Sequence, residues 1–270
     1  MNLFKENRSK EISGEKLNTY NQKFYKIVNE QKCHHGLCYD LGEIIDPIEF
    51  NPTNSCSKPG GIYFTTIEHI FKFLDYGCFM CEIEIPNDSR CHIVDNNIKA
   101  NKIIIKNMKH ISDFDKWDDH DFCFKAIKQN ENVFKYVKNQ TEQLCLKAVK
   151  QNGDMLNFVK NQTEKICLTA TRQNGVSLRY VENMTEEMCL EAVNRNGMSL
   201  QYIKNQTDQM CLIAINQNPK SLQFVNKQTR EMCLDAVSHK CRNQMKYVLK
   251  LSDNKDNCLS LLIIKQKKYV

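Results

Sequence analysis

Cysteine recurs every 22 residues in this chain, at Cys123, Cys145, Cys167, Cys189, Cys211 and Cys233. Around each the text reads roughly Thr-Glu-x-x-Cys-Leu-x-Ala-Val-x-x-Asn-Gly-x-x-Leu-x-Tyr-Val-x-Asn-Gln. A fixed period of this length marks a stacked array whose units cannot bury a core alone. In the unit 163–184, Thr163 is placed as an N-cap and Glu164 falls in the first turn, where the helix dipole favours an acid. Ile166, Cys167, Ala170 and Thr171 define one buried face. Asn174-Gly175 is expected to stop the helix, with Gly175 left-handed. A second short helix then carries Leu178, Tyr180 and Val181.

The slots repeat the same logic. Ala126, Ala148, Ala170, Ala192, Ala214 and Ala236 let neighbouring helices approach closely. Tyr136, Phe158, Tyr180, Tyr202 and Phe224 form a ladder of rings suited to filling the space between helix layers. The caps are Asp119, Thr141, Thr163, Thr185, Thr207 and Thr229, all good N-cap residues. The turn slot departs at Glu131, Pro219 and Cys241, and in the sixth unit the ring slips to Tyr247. Six cysteines on an apolar face read as small core residues, and the chain as a reduced, intracellular protein.

Before the array the text changes to short β-like runs: 24–28, 36–39, 62–65, 78–85, 93–94 and 102–105. One helix is expected over 66–76, with Thr66 as its cap and Gly77 as its stop. The fold class is therefore an α+β N-terminal domain followed by an α-solenoid of short helix-turn-helix repeats, mostly α overall. The divisions are a flexible tail at 1–21, a small α+β domain at 22–112, about six repeats at 113–250 and a C-terminal capping helix at 251–270. Residues 112–121 read as an acidic linker.

Within 22–112, His35-Gly36-Leu37, Pro47-Ile48-Glu49-Phe50-Asn51-Pro52, Cys56, Gly60-Gly61-Ile62-Tyr63-Phe64-Thr65, Phe73-Leu74-Asp75-Tyr76-Gly77, Glu84-Ile85-Pro86 and Ala100-Asn101-Lys102-Ile103 occur in order. Together they resemble the N-terminal domain of many repeat proteins of mimivirus-type giant viruses, where it commonly precedes ankyrin repeats. The array resembles instead a 22-residue helical repeat of an uncharacterised family in the same viruses and some protists. The resemblance covers residues 22–250 and implies no established activity. Relatives tend to read Gly-Leu-Asn-x-Asp where this chain has Cys38 in place of the Asn.

Chemistry-bearing patterns are sparse. Cys33-His34-His35 with Cys38, Cys56, Cys78-x-x-Cys81 and Cys91-His92 is the strongest metal-like set, but zinc knuckles come as converging pairs and only one pair exists. That pair falls on an expected strand, where positions three apart face opposite ways. It lacks a thioredoxin-like context for redox work, so scattered half-buried thiols are the better reading. Tyr63, His69, Glu82 and Glu84 are suitable types for acid–base work near the Gly60-Gly61 turn, yet no spacing fixes them together. Gly60-Gly61 is not followed by the Lys-Ser or Lys-Thr of a phosphate loop. No catalytic, cofactor-binding or metal residue is assigned, and no cofactor.

What remains is surface. One outward slot starts Lys128, Lys150, Arg172; another holds Lys138, Lys160, Glu182 and Lys204. This loose basic stripe is the candidate interaction surface. With a net charge of +6 and 26% charged residues the chain is only mildly basic, so nucleic acid is the second reading and a protein partner the first. No apolar run approaches a membrane span, and no secretory or lipidation signal is visible. The Asn-x-Thr triplets are then expected to stay unglycosylated. The expectation is a non-enzymatic protein–protein interaction module, scaffold or adaptor, in the host-cell cytoplasm or packaged in the virion. An RNA-binding repeat protein and an enzyme with its site in the N-terminal domain are the alternatives.

Overall fold

The computed structural model describes residues 3–6, 10–34, 36–52 and 59–238. The chain divides into two compact bodies, Met1–Asn139 and Gln140–Val270. In the first, α1 (Leu3–Glu6), β1 (Lys10–Ser13) and α2 (Gly14–Asn18) precede the central strand β2 (Phe24–Val28). A small hairpin, β3 (Cys33–His34) and β4 (Leu37–Cys38), and β5 (Gly42–Ile45) follow. Then come β6 (Ile62–Thr66), a 3-10 helix (Ile70–Tyr76), β7 (Phe79–Glu84), β8 (Arg90–Val94), β9 (Asn97–Ala100) and β10 (Lys102–His110). Eight strands form one antiparallel sheet in the order β1-β8-β9-β6-β2-β7-β10-β5. All five residues of β2 are buried, as a central strand covered on both faces requires.

Several expectations are corrected here. Residues 10–18 are not a frayed tail: β1 pairs with β8 in antiparallel register, and Leu17 of α2 is fully buried. Leu3 and Phe4 join the same core. An edge strand reading Lys-Glu-Ile-Ser shows one half-buried apolar residue, so its pattern is almost silent. The helix expected over 66–76 begins only at Ile70 and is 3-10, because Thr66 still belongs to β6. Nor is 112–121 a linker. Trp117 is completely buried, its indole N–H donating to the Ile111 carbonyl at 2.5 Å, among the rings of Phe71, Phe114, Phe122 and Tyr136.

The first repeat therefore folds with the sheet. Its helix α3 (His120–Gln129) ends in Gln129, whose amide accepts from the Phe71 N–H at 3.0 Å and donates to the Ile67 carbonyl at 3.2 Å.

In the second body each repeat is a ten-residue α-helix and a six-residue 3-10 helix. These are α4 (Glu142–Gln151) with Gly153–Phe158, α5 (Glu164–Gln173) with Gly175–Tyr180, α6 (Glu186–Arg195) with Gly197–Tyr202, and α7 (Asp208–Gln217) with Pro219–Phe224. The last described element is α8 (Arg230–Ser238). α-Helices pack on α-helices and 3-10 helices on 3-10 helices down the array. The expected caps form: the hydroxyls of Thr141, Thr163, Thr185, Thr207 and Thr229 accept from the N–H three residues on, at 3.3 to 3.4 Å. The six repeat cysteines and the six alanines are buried. Cys241, Tyr247 and the capping helix at 251–270 lie outside the described residues.

Two repeat slots differ from expectation. Asn174, in extended conformation, both closes α5 and caps the next 3-10 helix, its side chain accepting from the Val176 N–H at 3.2 Å. Gly175 is not left-handed. It is glycine because a Cβ there would run into the Ala192 carbonyl of the following repeat. The ring ladder does not fill the space between layers either. Leu156, Leu178, Leu200 and Leu222 do that, at 0 to 1% exposure, while Tyr180, Tyr202 and Phe224 are half-buried and Phe158 is 38% exposed.

Candidate functional site

Three of the four described repeat junctions carry a glutamine that reaches forward to the next ring, the exception being Met184 before Tyr202. Gln140 donates to the Phe158 carbonyl at 2.8 Å and accepts from the Lys160 N–H at 2.9 Å. Gln162 does the same with Tyr180 and Glu182, and Gln206 with Phe224 and Asn226. These clamps hold Phe158, Tyr180 and Phe224, and Tyr202 takes the same position in its repeat, so the rings follow one edge of the array. Arg179 lies over the Tyr180 ring at 4.5 Å and pairs with Asp154 at 3.0 Å. The edge thus presents half-buried aromatic faces among polar groups of both signs.

The basic stripe takes a different form in space from its appearance in sequence. Lys128, Lys138, Lys150, Lys160, Arg172 and Lys204 are all exposed. Arg172, however, is shared between Glu187 and Glu191 of the next helix, each at 3.0 Å, and Lys138 pairs with Asp118 at 3.5 Å. Residues 140–238 carry eleven Lys and Arg against ten Asp and Glu. Lys160 and Lys204 sit two residues beyond Phe158 and Tyr202, on the ring edge. Lys150 and Arg172 belong to the α-helices.

The acid–base group suggested by the N-terminal sequence does not converge. Glu82 pairs with Lys23 at 2.7 Å and Glu84 with Lys106 at 3.0 Å, and His69 stands edge-on to Phe4. Only Tyr63 lines the cavity of about 490 Å³ beside the Gly60-Gly61 turn. There Gly61, at positive φ, leaves room for the aliphatic chain of Lys99, and its N–H donates to Asp46 at 2.6 Å. The thiol expectation is corrected at one pair. Cys33 and Cys38 face each other across the β3–β4 hairpin and form a disulfide, a pairing that sequence spacing alone could not distinguish from ligands or free thiols. Cys81 and Cys91 are buried in the sheet core, where burial pushes both thiols up to about 12. His35 and Cys56 lie outside the described residues.

A repeat array preceded by an antiparallel-sheet domain, with one aromatic ring per repeat at its edge, defines the chain as a helical-repeat protein. The model of the Domain of unknown function (DUF4116) matches residues 119–162 and 185–230. The chain belongs to the family of "Uncharacterized protein R869" of Acanthamoeba polyphaga mimivirus: it is 35% identical over 115 residues, 40% of this chain and 83% of that protein. It is also similar to "Putative ankyrin repeat protein R868" of the same virus, 43% identical over 68 residues, 24% of this chain. The chain spans only 33% of that protein's length. No solved structure matches it. Among the described residues no helix is long and apolar enough to cross a membrane.

Proposed function

We propose that the repeat array is a non-enzymatic protein-interaction module, with the ring edge as its contact surface. The observation that carries this is the series Phe158, Tyr180, Tyr202 and Phe224, half-buried to exposed at one position per repeat. Aromatic residues ringed by polar groups are what protein interfaces concentrate, and a rigid array meets a partner with little ordering cost. The name of the ankyrin-repeat relative fits this reading. The alternative, RNA, draws less support, because a strand-binding surface needs excess positive charge and Arg172 is neutralised by its neighbours.

A photo-crosslinking amino acid placed at Phe158 or Tyr202 of the full chain tests this directly. Protein adducts are expected from the ring edge and not from the same group at Lys150. Adducts to RNA, or adducts only from Lys150, would overturn it. The reading further places the protein in the host cytoplasm or the virion, where tagged virus would show it.

A further inference from the structure

The residue that stands out in the N-terminal body is Lys26. It occupies the middle of the central strand, between Phe24 and Val28 on the core-facing side. Its register partner is Cys81 of β7. On the other side β2 pairs with β6 over only two positions, Phe24 with Thr66 and Tyr25 with Thr65. Beyond them the ladder ends, and the Lys26 ammonium donates to the Tyr63 carbonyl at 3.0 Å across the gap. The cavity lies at this gap, and Lys26 lines it.

Lys26 is 8% exposed. Its Nζ lies 4.8 Å from the centre of the Tyr39 ring. One carbonyl and one ring face leave part of a three-donor ammonium unsatisfied. Burial pushes its titration down to about 8, with no carboxylate among the groups acting on it. Asp46 lines the same cavity, but its two oxygens accept from the Ile48 and Gly61 N–H groups at 2.9 and 2.6 Å. The rest of the lining is largely apolar, including Ile27, Leu37, Phe64 and Phe73, with Ile48 and Tyr76 exposed. A methionine would fill this strand position without the desolvation cost of a buried charge.

We infer that this cavity binds a small monocarboxylate with an apolar body, its acid group paired with the Lys26 ammonium. The volume falls within the range of small-molecule sites, roughly 300–1,000 Å³. A single ammonium suits a single negative charge. A phosphate would call for several convergent donors, and Gly61 in the lining already gives its N–H to Asp46. This inference is independent of the repeat surface, and either can fail without the other.

The test titrates the full chain with benzoate, phenylacetate and hexanoate and with their three primary amides, by calorimetry and ligand-observed NMR. At least one acid is expected to bind, about tenfold or more tighter than its amide, as loss of a charge-assisted hydrogen bond implies. Binding should weaken as pH rises through about 8, where Lys26 loses its proton. Lys26→Met should erase the preference for acid over amide. Ile48→Glu, at a position 47% exposed, should weaken the acids and spare the amides, and it decides the matter if Lys26→Met does not fold. Equal binding of acids and amides, an unchanged Lys26→Met variant, or no acid bound at about 10 mM, a level far above ordinary site affinities, would overturn the inference.

Discussion

The junction between the repeats 163–184 and 185–206 lacks both side-chain clamps that its neighbours have. Between 141–162 and 163–184, Gln162 bridges to Tyr180 and Glu182, and Gln173 reaches back to the Gly153 N–H at 2.7 Å and the Gln151 carbonyl at 3.2 Å. Between 185–206 and 207–228, Gln206 and Gln217 make the corresponding bonds to Phe224, Asn226 and the Gly197 N–H. At the middle junction these slots hold Met184 and Arg195, neither of which can repeat the pattern. The surface pairs of Arg172 with Glu187 and Glu191 and a hydrogen bond from Arg179 to Tyr202 stand in for them, and exposed pairs contribute about 0–1 kcal/mol.

Met184→Gln and Arg195→Gln should each add about 1 kcal/mol, the net worth of one or two partly exposed hydrogen bonds. The mirror changes Gln162→Met and Gln173→Arg should each remove about as much. Because a repeat array is governed by nearest-neighbour interfaces, the effect should be local. Native-state hydrogen exchange would show it as slower exchange in α6 for the double variant Met184→Gln/Arg195→Gln, beside a raised urea midpoint. If that double variant is neutral or destabilised, while Gln162→Met costs nothing, the clamps are decoration and the reasoning fails.

Other consequences follow from single contacts. Gly197→Ala should cost about 1–3 kcal/mol by overpacking, since its Cβ would meet the Ala214 carbonyl. A gain of about 0.4–1 kcal/mol, the usual result of stiffening the unfolded chain, would show that close approach is not the reason for the glycine. Burial pushes the Cys123 and Cys145 thiols up to about 11 and those of Cys81 and Cys91 up to about 12, from an ordinary value of 9.0. Above pH 9 the unfolded chain releases thiol protons that the folded chain keeps, so stability should fall as pH rises. Lys26 acts in the opposite sense between about 8 and 10.5, where the unfolded chain holds the extra proton. The thiols outnumber it, so urea midpoints should drop from pH 9 to about 11, and a rise over that range would contradict the assignment.

The array was legible because its period samples each slot several times: threonine caps, buried cysteines and packed alanines recur where the structure places them. The roles of Gly175 and the rings were not. Both depend on which side of a helix the neighbouring repeat covers, and a one-dimensional period carries no such information. In the sheet body, β2, β6 and β7 announced themselves by apolar content, whereas β1 and β5 are largely exposed edge strands with little pattern to read. Lys26 was hidden for the opposite reason. A single lysine in Phe-Tyr-Lys-Ile-Val reads as ordinary alternation, and only the splaying of β2 from β6 makes it a buried ammonium at a cavity.

The central claim, that the ring edge of the array holds a protein partner, is met most directly by a crosslinked pull-down from infected cells. The full chain would be compared with its Tyr180→Ser/Tyr202→Ser/Phe224→Ser variant, each with and without nuclease. The account predicts one protein recovered by the native chain, unchanged by nuclease and lost with the variant. Recovery that collapses with nuclease, or survives removal of the three rings, would contradict it.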